Sequence, residues 1–219
     1  LAGEFGYHPI AFAHLGPQPP LWSNHEIRDL NDLKGRTISV SGLLASVAEG
    51  LGARPVQPIN PSATAASPAA PANRAVAGQT AEIIEAGGLY QAMQADAHRS
   101  TRFATNTGLS LTGTTLTLRI AKRVWESLGE AQQAIVTAAA SQIYTASVTE
   151  ARMMEPGIKK ALQAHHGISF TDLSPEARRN IEDVSRAVIA HAAGSDHRGR
   201  AIDASFMAFR ALSTGASVA

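Results

Sequence analysis

Residues 31–42 read NDLKGRTISVSG, and the rest of the chain is interpreted outward from them. Asn31-Asp32-Leu33-Lys34-Gly35 is a polar turn closed by glycine, the punctuation that precedes a new element. Arg36 to Ser41 then alternates long or apolar side chains with small hydroxyls, which predicts a strand over 36–41. From Leu43 to Leu51, Leu43, Leu44, Val47 and Leu51 recur on one helical face, with Gly52 as the natural stop. A turn, a strand and a helix in immediate succession are the unit of an α/β chain. The strand raises one question: what stands opposite the face that carries Thr37 and Ser39?

On the N-terminal side, PIAFA (9–13) predicts a short buried strand, and the three prolines of HLGPQPPLW force an irregular loop after it. On the C-terminal side, INPSATAASPAAPAN (59–73) is rich in alanine, serine and proline and predicts a flexible segment. Leu116, Leu118 and Ile120 alternate, predicting a strand over 114–120 that leads into a helix. The remainder reads as helical. Ile135, Ala139 and Ile143 share a stripe in 130–154, and Pro156-Gly157 predicts an end or a kink. GISF (167–170) predicts a strand. Ser174 as N-cap, Pro175 and Glu176 then open a helix whose apolar face is Ile181, Val184 and Val188. Ile202, Phe206, Phe209 and Leu212 mark a last helix, and no internal repeat is present.

Composition narrows the function classes. The 219 residues are 44% hydrophobic and 17% charged, with a net charge of +1, so no concentrated basic face marks a nucleic-acid partner. No apolar run approaches the ~20 residues of a membrane-spanning helix. Cysteine is absent, which removes disulfides, thiolate metal sites and cysteine nucleophiles. Neither an initiator methionine nor a signal peptide stands at Leu1, so the chain is expected to start after processing or to be incomplete.

Little chemistry is written in motifs. His165-His166 are adjacent, so they do not face one way on a helix, and no third ligand stands at a suggestive spacing. No metal and no cofactor is expected. Asp196, His197, Arg198 and Arg200 read as a charged interhelical loop in preference to an anion site. The hydroxyls of GLSLTGTTLTL (108–118) suit a pocket lining, but more simply a threonine-rich strand. Phosphate-loop, dinucleotide, nucleophile-elbow and zinc-protease motifs are all missing. Nothing here argues for an enzyme, and a binding protein is the stronger reading.

A family resemblance sharpens this. Ile27, Arg28, Asp32, Leu33, Lys34, Gly35, Ile38 and Val40 resemble, in order and spacing, the "I-(R/K)-S-x-x-D-L-K-G-L-K-I-R-V-P" phrase of the periplasmic solute-binding subunits of tripartite ATP-independent (TRAP) transporters, the DctP-like family. LGARPV (51–56), RAVAGQTAE (74–82) and RVWESLGEAQQAIVTAAA (123–140) resemble further family segments in family order. The resemblance covers residues 1–219 as one solute-binding region with interleaved lobes and corresponds to the family's C-terminal two-thirds. It implies a two-lobed, type II periplasmic-binding-protein-like α/β fold with a helical C-terminal portion and an incomplete first lobe. It also implies a periplasmic location, a small organic acid as solute, and membrane permease subunits as partners, driven by an ion gradient.

The family's usual carboxylate-gripping arginine falls at Ser39, and Arg36, three residues earlier, lies on the opposite strand face. A serine offers one neutral hydrogen bond where the guanidinium offers a charged fork. Gln18 stands near a second arginine position of some members. The segment Ala77-Gly78-Gln79-Thr80-Ala81 lacks the family's asparagine. The expected ligand-binding residues are therefore Gln18, Trp22 (stacking from the proline-rich loop), Ser39, Thr80 and Asn106, with no catalytic residue. The alternatives are a solute-sensing domain for a membrane receptor and an unrecognised serine hydrolase.

Overall fold

The structure is a computed structural model that describes residues 2–14, 16, 21–40, 42–57, 81–86, 88–107, 115–194 and 196–214. The segment 59–73, Gln18 and Thr80 lie outside these residues. In chain order the strands are β1 (Tyr7–His14), β2 (Leu21–Ser23), β3 (Thr37–Ser39), β4 (Arg54–Val56), β5 (Ile83–Ile84), β6 (Phe103–Asn106), β7 (Thr115–Ala121) and β8 (Ser169–Asp172). The helices are α1 (Leu43–Gly50), α2 (Leu89–Gln94), α3 (Ala97–Ser100), α4 (Lys122–Ser127), α5 (Glu130–His166), α6 (Pro175–Ala193) and α7 (His197–Thr214).

Six strands form one mixed sheet in the order β4-β3-β5-β2-β6-β8. Strand β3 pairs in parallel with β4 and β5, β6 pairs in parallel with β8, and β2 runs antiparallel between β5 and β6. Neighbouring residues of each strand point to opposite faces, and each face has its own core. Ile38, Ile83 and Leu21 face one cluster with Val47 and Leu51 of the α1 region and Ala177 and Ile181 of α6. Val56, Ile84, Trp22, Ala104 and Phe170 face the other, with Leu89 and Ala92 of α2, Ala97 of α3, and Ile158 and Leu162 of α5.

Strands β1 and β7 form a separate antiparallel ribbon, irregular between Ala11 and Ala13. The first part of α5 lies along β1: the backbone N–H of His14 donates to Ser147 Oγ at 2.9 Å. At the ribbon's other end, His8 stacks on Trp125 of α4 at 4.2 Å. Thus α5, 37 residues and about 55 Å long at 1.5 Å per residue, reaches from the ribbon to the second core of the sheet.

Several expectations hold. Strand β3 and the N-cap of α6 are where the sequence puts them, Ser174 Oγ accepting from Ala177 N at 3.1 Å, and β8 lies two residues beyond the expected 167–170 because Gly167 caps α5. Ile181 is buried, with Val184 and Val188 packed against its cluster. Other readings are corrected. The helix does not end at Pro156; α5 runs through it. The ring removes one backbone hydrogen bond, but both flanks are held. Ala151 packs against Gly16 on one side, and Ile158 and Leu162 sit in the second core on the other. The Ile135/Ile143 stripe is exposed, as are Ile202, Phe206, Phe209 and Leu212 of α7, and only Ala140 and Leu162 of α5 are buried. Of the expected buried strand 9–13, only Ile10 is buried. Leu21 and Trp22 are strand, not proline-rich loop. Of the expected charged loop, His197, Arg198 and Arg200 are helical, in the first turn of α7, while Asp196 stands just before it and its carboxylate accepts from Gly199 N at 2.9 Å, which holds it below the usual carboxylate range.

One titratable contact ties α3 to the end of α5. His98 is buried, its Nδ1 has no partner, and its ring meets His166 edge-on at 4.3 Å. Burial first, then His166, hold its pKa below the ordinary 6.5, against the opposing pull of Asp96. As pH falls below ~6.5 the unfolded chain takes up this proton before the folded one does, so stability declines with falling pH. Urea unfolding between pH 7.5 and pH 5 should therefore show a falling midpoint in the parent and a flatter profile in His98→Gln. Identical profiles would refute this role for His98.

Candidate functional site

In the sheet, β3, β4, β5, β6 and β8 all run one way, so their carboxyl ends share one edge, where open α/β sheets place ligands. The registers Val56↔Ser39, Ser39↔Ile84, Ile84↔Trp22, Trp22↔Ala104 and Ala104↔Phe170 define one row across six strands. This answers the question of what stands beside the hydroxyls. Ser39 is the one polar member of an apolar row, at the ends of β3, β4 and β5, and its hydroxyl has no partner among the described residues. Thr37 is engaged instead: Glu82 accepts from its N–H at 3.0 Å, and Arg36 donates to the same carboxylate at 2.8 Å. These bonds, the Thr37 amide foremost, lower the Glu82 pKa. Arg36 is thereby held away from Ser39, as the odd strand offset requires.

Trp22 is wholly buried in the second core, its indole N–H without a partner. Asn106, the last residue of β6, is exposed and donates to Asp172 at 3.1 Å; Asp172 also accepts from Arg178 at 2.6 Å. The structure therefore brings Ser39 and Trp22 into one row and places Asn106 farther along the same carboxyl edge.

Where the ribbon meets the sheet, a cleft of about 340 Å³ opens between the end of β1, the start of α2 and the middle of α5. Its lining includes His14, Gly16, Tyr90, Gln91, Glu150 and Glu155. Gly16, at φ +82°, brings the chain so close to α5 that an added Cβ would stand 2.8 Å from the Ala151 Cβ. His14 Nδ1 accepts from Gly16 N at 3.0 Å, and Ser147 Oγ donates to Tyr144 O at 2.8 Å. This histidine and serine are thus committed to backbone bonds and form no nucleophile–base pair.

Sequence reasoning missed Glu85 and the α5 contribution. Glu85 follows β5 directly; its N–H donates to Ser39 O at 3.3 Å, and burial raises its carboxyl pKa. An acid after a two-residue apolar strand was the only signal for it. Glu150 and Glu155 are brought to the cleft by tertiary packing that no local pattern announces. Among the described residues no group of three or more His, Asp or Glu is placed to hold a metal ion.

The fold has known relatives. Residues 3–195 match the model of the DctP family, bacterial extracellular solute-binding protein, family 7. The chain belongs to that family. No curated protein matches it. Among solved structures, a TRAP transporter solute-binding protein from Bordetella bronchiseptica, with calcium and picolinate bound, superposes with a TM-score of 0.82 at 18% identity, over 97% of this chain and 60% of that one. One from Pseudoalteromonas atlantica, with sodium and pyruvate, gives 0.81 at 20% identity over 97% and 62%. The ectoine-binding protein of a TRAP transporter from Halomonas elongata gives 0.72 at 15% identity over 90% and 62%. At these identities the likeness shows the fold: the two-lobed periplasmic-binding-protein class expected from the sequence. The chain spans about 60% of the length of the first two.

The close approach at Gly16 gives a direct check. Gly16→Ala combines a positive φ with a clash and should destabilise by about 1–3 kcal/mol in urea unfolding. Adding Ala151→Gly should recover part of that loss; no recovery would mean that the contact does not hold β1 against α5.

Proposed function

We propose that this chain is the solute-holding part of an extracytoplasmic binding subunit of a TRAP-type secondary transporter. It captures a small organic solute in the periplasm and hands it to membrane permease subunits without chemical change. The observation that carries the reading is the cleft at the junction of ribbon and sheet, beside the shared carboxyl edge. The ligands of the similar proteins (picolinate, pyruvate and ectoine) are all small organic solutes, which supports the same class here. Ser39 and Asn106 contribute from the sheet edge, and Trp22 supports it from beneath. Gln18, two residues after Gly16, and Thr80, just before Ala81, contribute from the adjoining segments. Solute contacts on both the ribbon side and the sheet side would favour a closed arrangement over an open one, the physical basis of capture.

Isothermal titration calorimetry against a panel of small anionic, zwitterionic and uncharged organic solutes tests this. Saturable one-to-one binding, with the solute recovered unchanged, is expected; turnover, or no binding across the panel, would overturn it. In the same assay Ser39→Arg supplies the missing fork and should tighten pyruvate binding roughly 10- to 100-fold, in keeping with a charge-assisted bond of about 1.5–3 kcal/mol. An unchanged affinity for every solute would place Ser39 away from the ligand.

A further inference from the structure

One nitrogen in the cleft is a donor without an acceptor. His14, the last residue of β1, lines the cleft. It is held three times over: its backbone N–H donates to Ser147 Oγ at 2.9 Å, Gly16 N donates to its Nδ1 at 3.0 Å, and its ring meets Tyr144 edge-on at 6.0 Å. A neutral imidazole whose Nδ1 accepts carries its proton on Nε2, so Gly16 fixes the tautomer. That Nε2–H has no partner among the described residues and is not sealed from solvent. Gly16 is itself fixed, at φ +82° and pressed against Ala151 of α5. The donor is therefore preorganised, and a solute has little left to order. On the α2 wall, Gln91 buries its Oε1 and leaves its Nε2 unsealed, again without a partner among the described residues. Lysine and arginine are absent from the described lining, so the side-chain donors it offers are neutral. At about 340 Å³ the space suits a small molecule.

Resting on the binding-protein reading above, we infer that His14 is a solute-binding residue: its Nε2–H donates to a trigonal oxygen of the solute, carbonyl or carboxylate, while the ring stays neutral. The two nitrogens divide the work. Nδ1 serves the fold by accepting from Gly16, and Nε2 serves the solute. Glu150 and Glu155 on the α5 wall are acceptors and cannot take this role. A neutral N–H suits carbonyl and carboxylate oxygens alike, whereas a guanidinium adds a charge that favours the anion. Such a donor selects a solute by where its oxygen sits more than by its charge.

Two substitutions in the full 219-residue chain separate the two roles. His14→Asn keeps an acceptor where Nδ1 stands and removes the Nε2 donor; His14→Gln reaches the Nε2 position with an N–H and gives up the Nδ1 acceptor. The probes are pyruvate and its amide, 2-oxopropanamide, followed at pH 7.5 by calorimetry and by the proton–nitrogen correlation spectrum of the histidine rings. His14 is expected in the Nε2–H form, its Nε2 resonance moving saturably on titration while that of His191 in α6 stays in place. His14→Asn should weaken binding roughly 3- to 10-fold, the worth of one neutral hydrogen bond, at an unchanged melting temperature. His14→Gln should melt lower than the parent yet bind more tightly than His14→Asn. Binding of pyruvate alone assigns the contact to a carboxylate oxygen, and binding of the amide as well assigns it to a carbonyl oxygen. A ring in the Nδ1–H form, or parent affinity in His14→Asn, would overturn the inference and leave the solute-binding reading intact. Failure of both probes would also overturn it, while the wider panel above separately decides whether the chain binds a solute at all.

Discussion

Two residues, Ile83 and Ile84, hold the architecture together. Strand β5 is only that long, yet it pairs in parallel with β3 on one side and antiparallel with β2 on the other. Ile83 is buried in the core beneath α1 and α6, and Ile84 in the core beneath α2, α3 and α5. Both are almost completely removed from water, at 1% exposure each, so burial contributes roughly 1.5–3 kcal/mol per side chain. A strand that joins two halves of a sheet and also knits two cores is a constraint that neither half can relax alone.

The site follows from that arrangement. With β5 in place, the carboxyl ends of five strands share an edge, and the chain leaving β5 passes Glu85 and reaches α2 at the cleft. The opposite wall is set by α5, whose far end is anchored in the second core through Leu162 and whose middle is pressed against Gly16. The cleft is thus held between the sheet and the ribbon by one long helix. The same helix tolerates Pro156 because its two flanks are fixed by different parts of the molecule.

What the sequence revealed, and what it concealed, has physical causes. The α6 helix was legible because its cap, its proline and its apolar face are all local signals, and β3 because a glycine turn precedes an alternating run. The strand order was not legible. Strands β2, β4 and β5 are two or three residues long, too short to show a period, and β2 follows prolines that read as loop. The Ile135/Ile143 stripe shows why periodicity misleads: it says that one face of a helix is apolar, not that anything covers it. Of the residues considered for the site, Ser39 was visible in the sequence as a small hydroxyl in an alternating run. Glu150, Glu155 and Gln91 were not, because their shared cleft depends on where α5 and α2 pack.

The central claim is that β5 and its neighbours form the most stable part of the molecule, with the cleft built on top of them. Native-state hydrogen exchange tests it residue by residue. Amides of β2, β3, β5 and β6 are expected to exchange only through global unfolding, whereas the exposed first half of α5 and all of α7 exchange earlier through local opening. Amides of Ile83 and Ile84 exchanging as fast as those of α7 would contradict it.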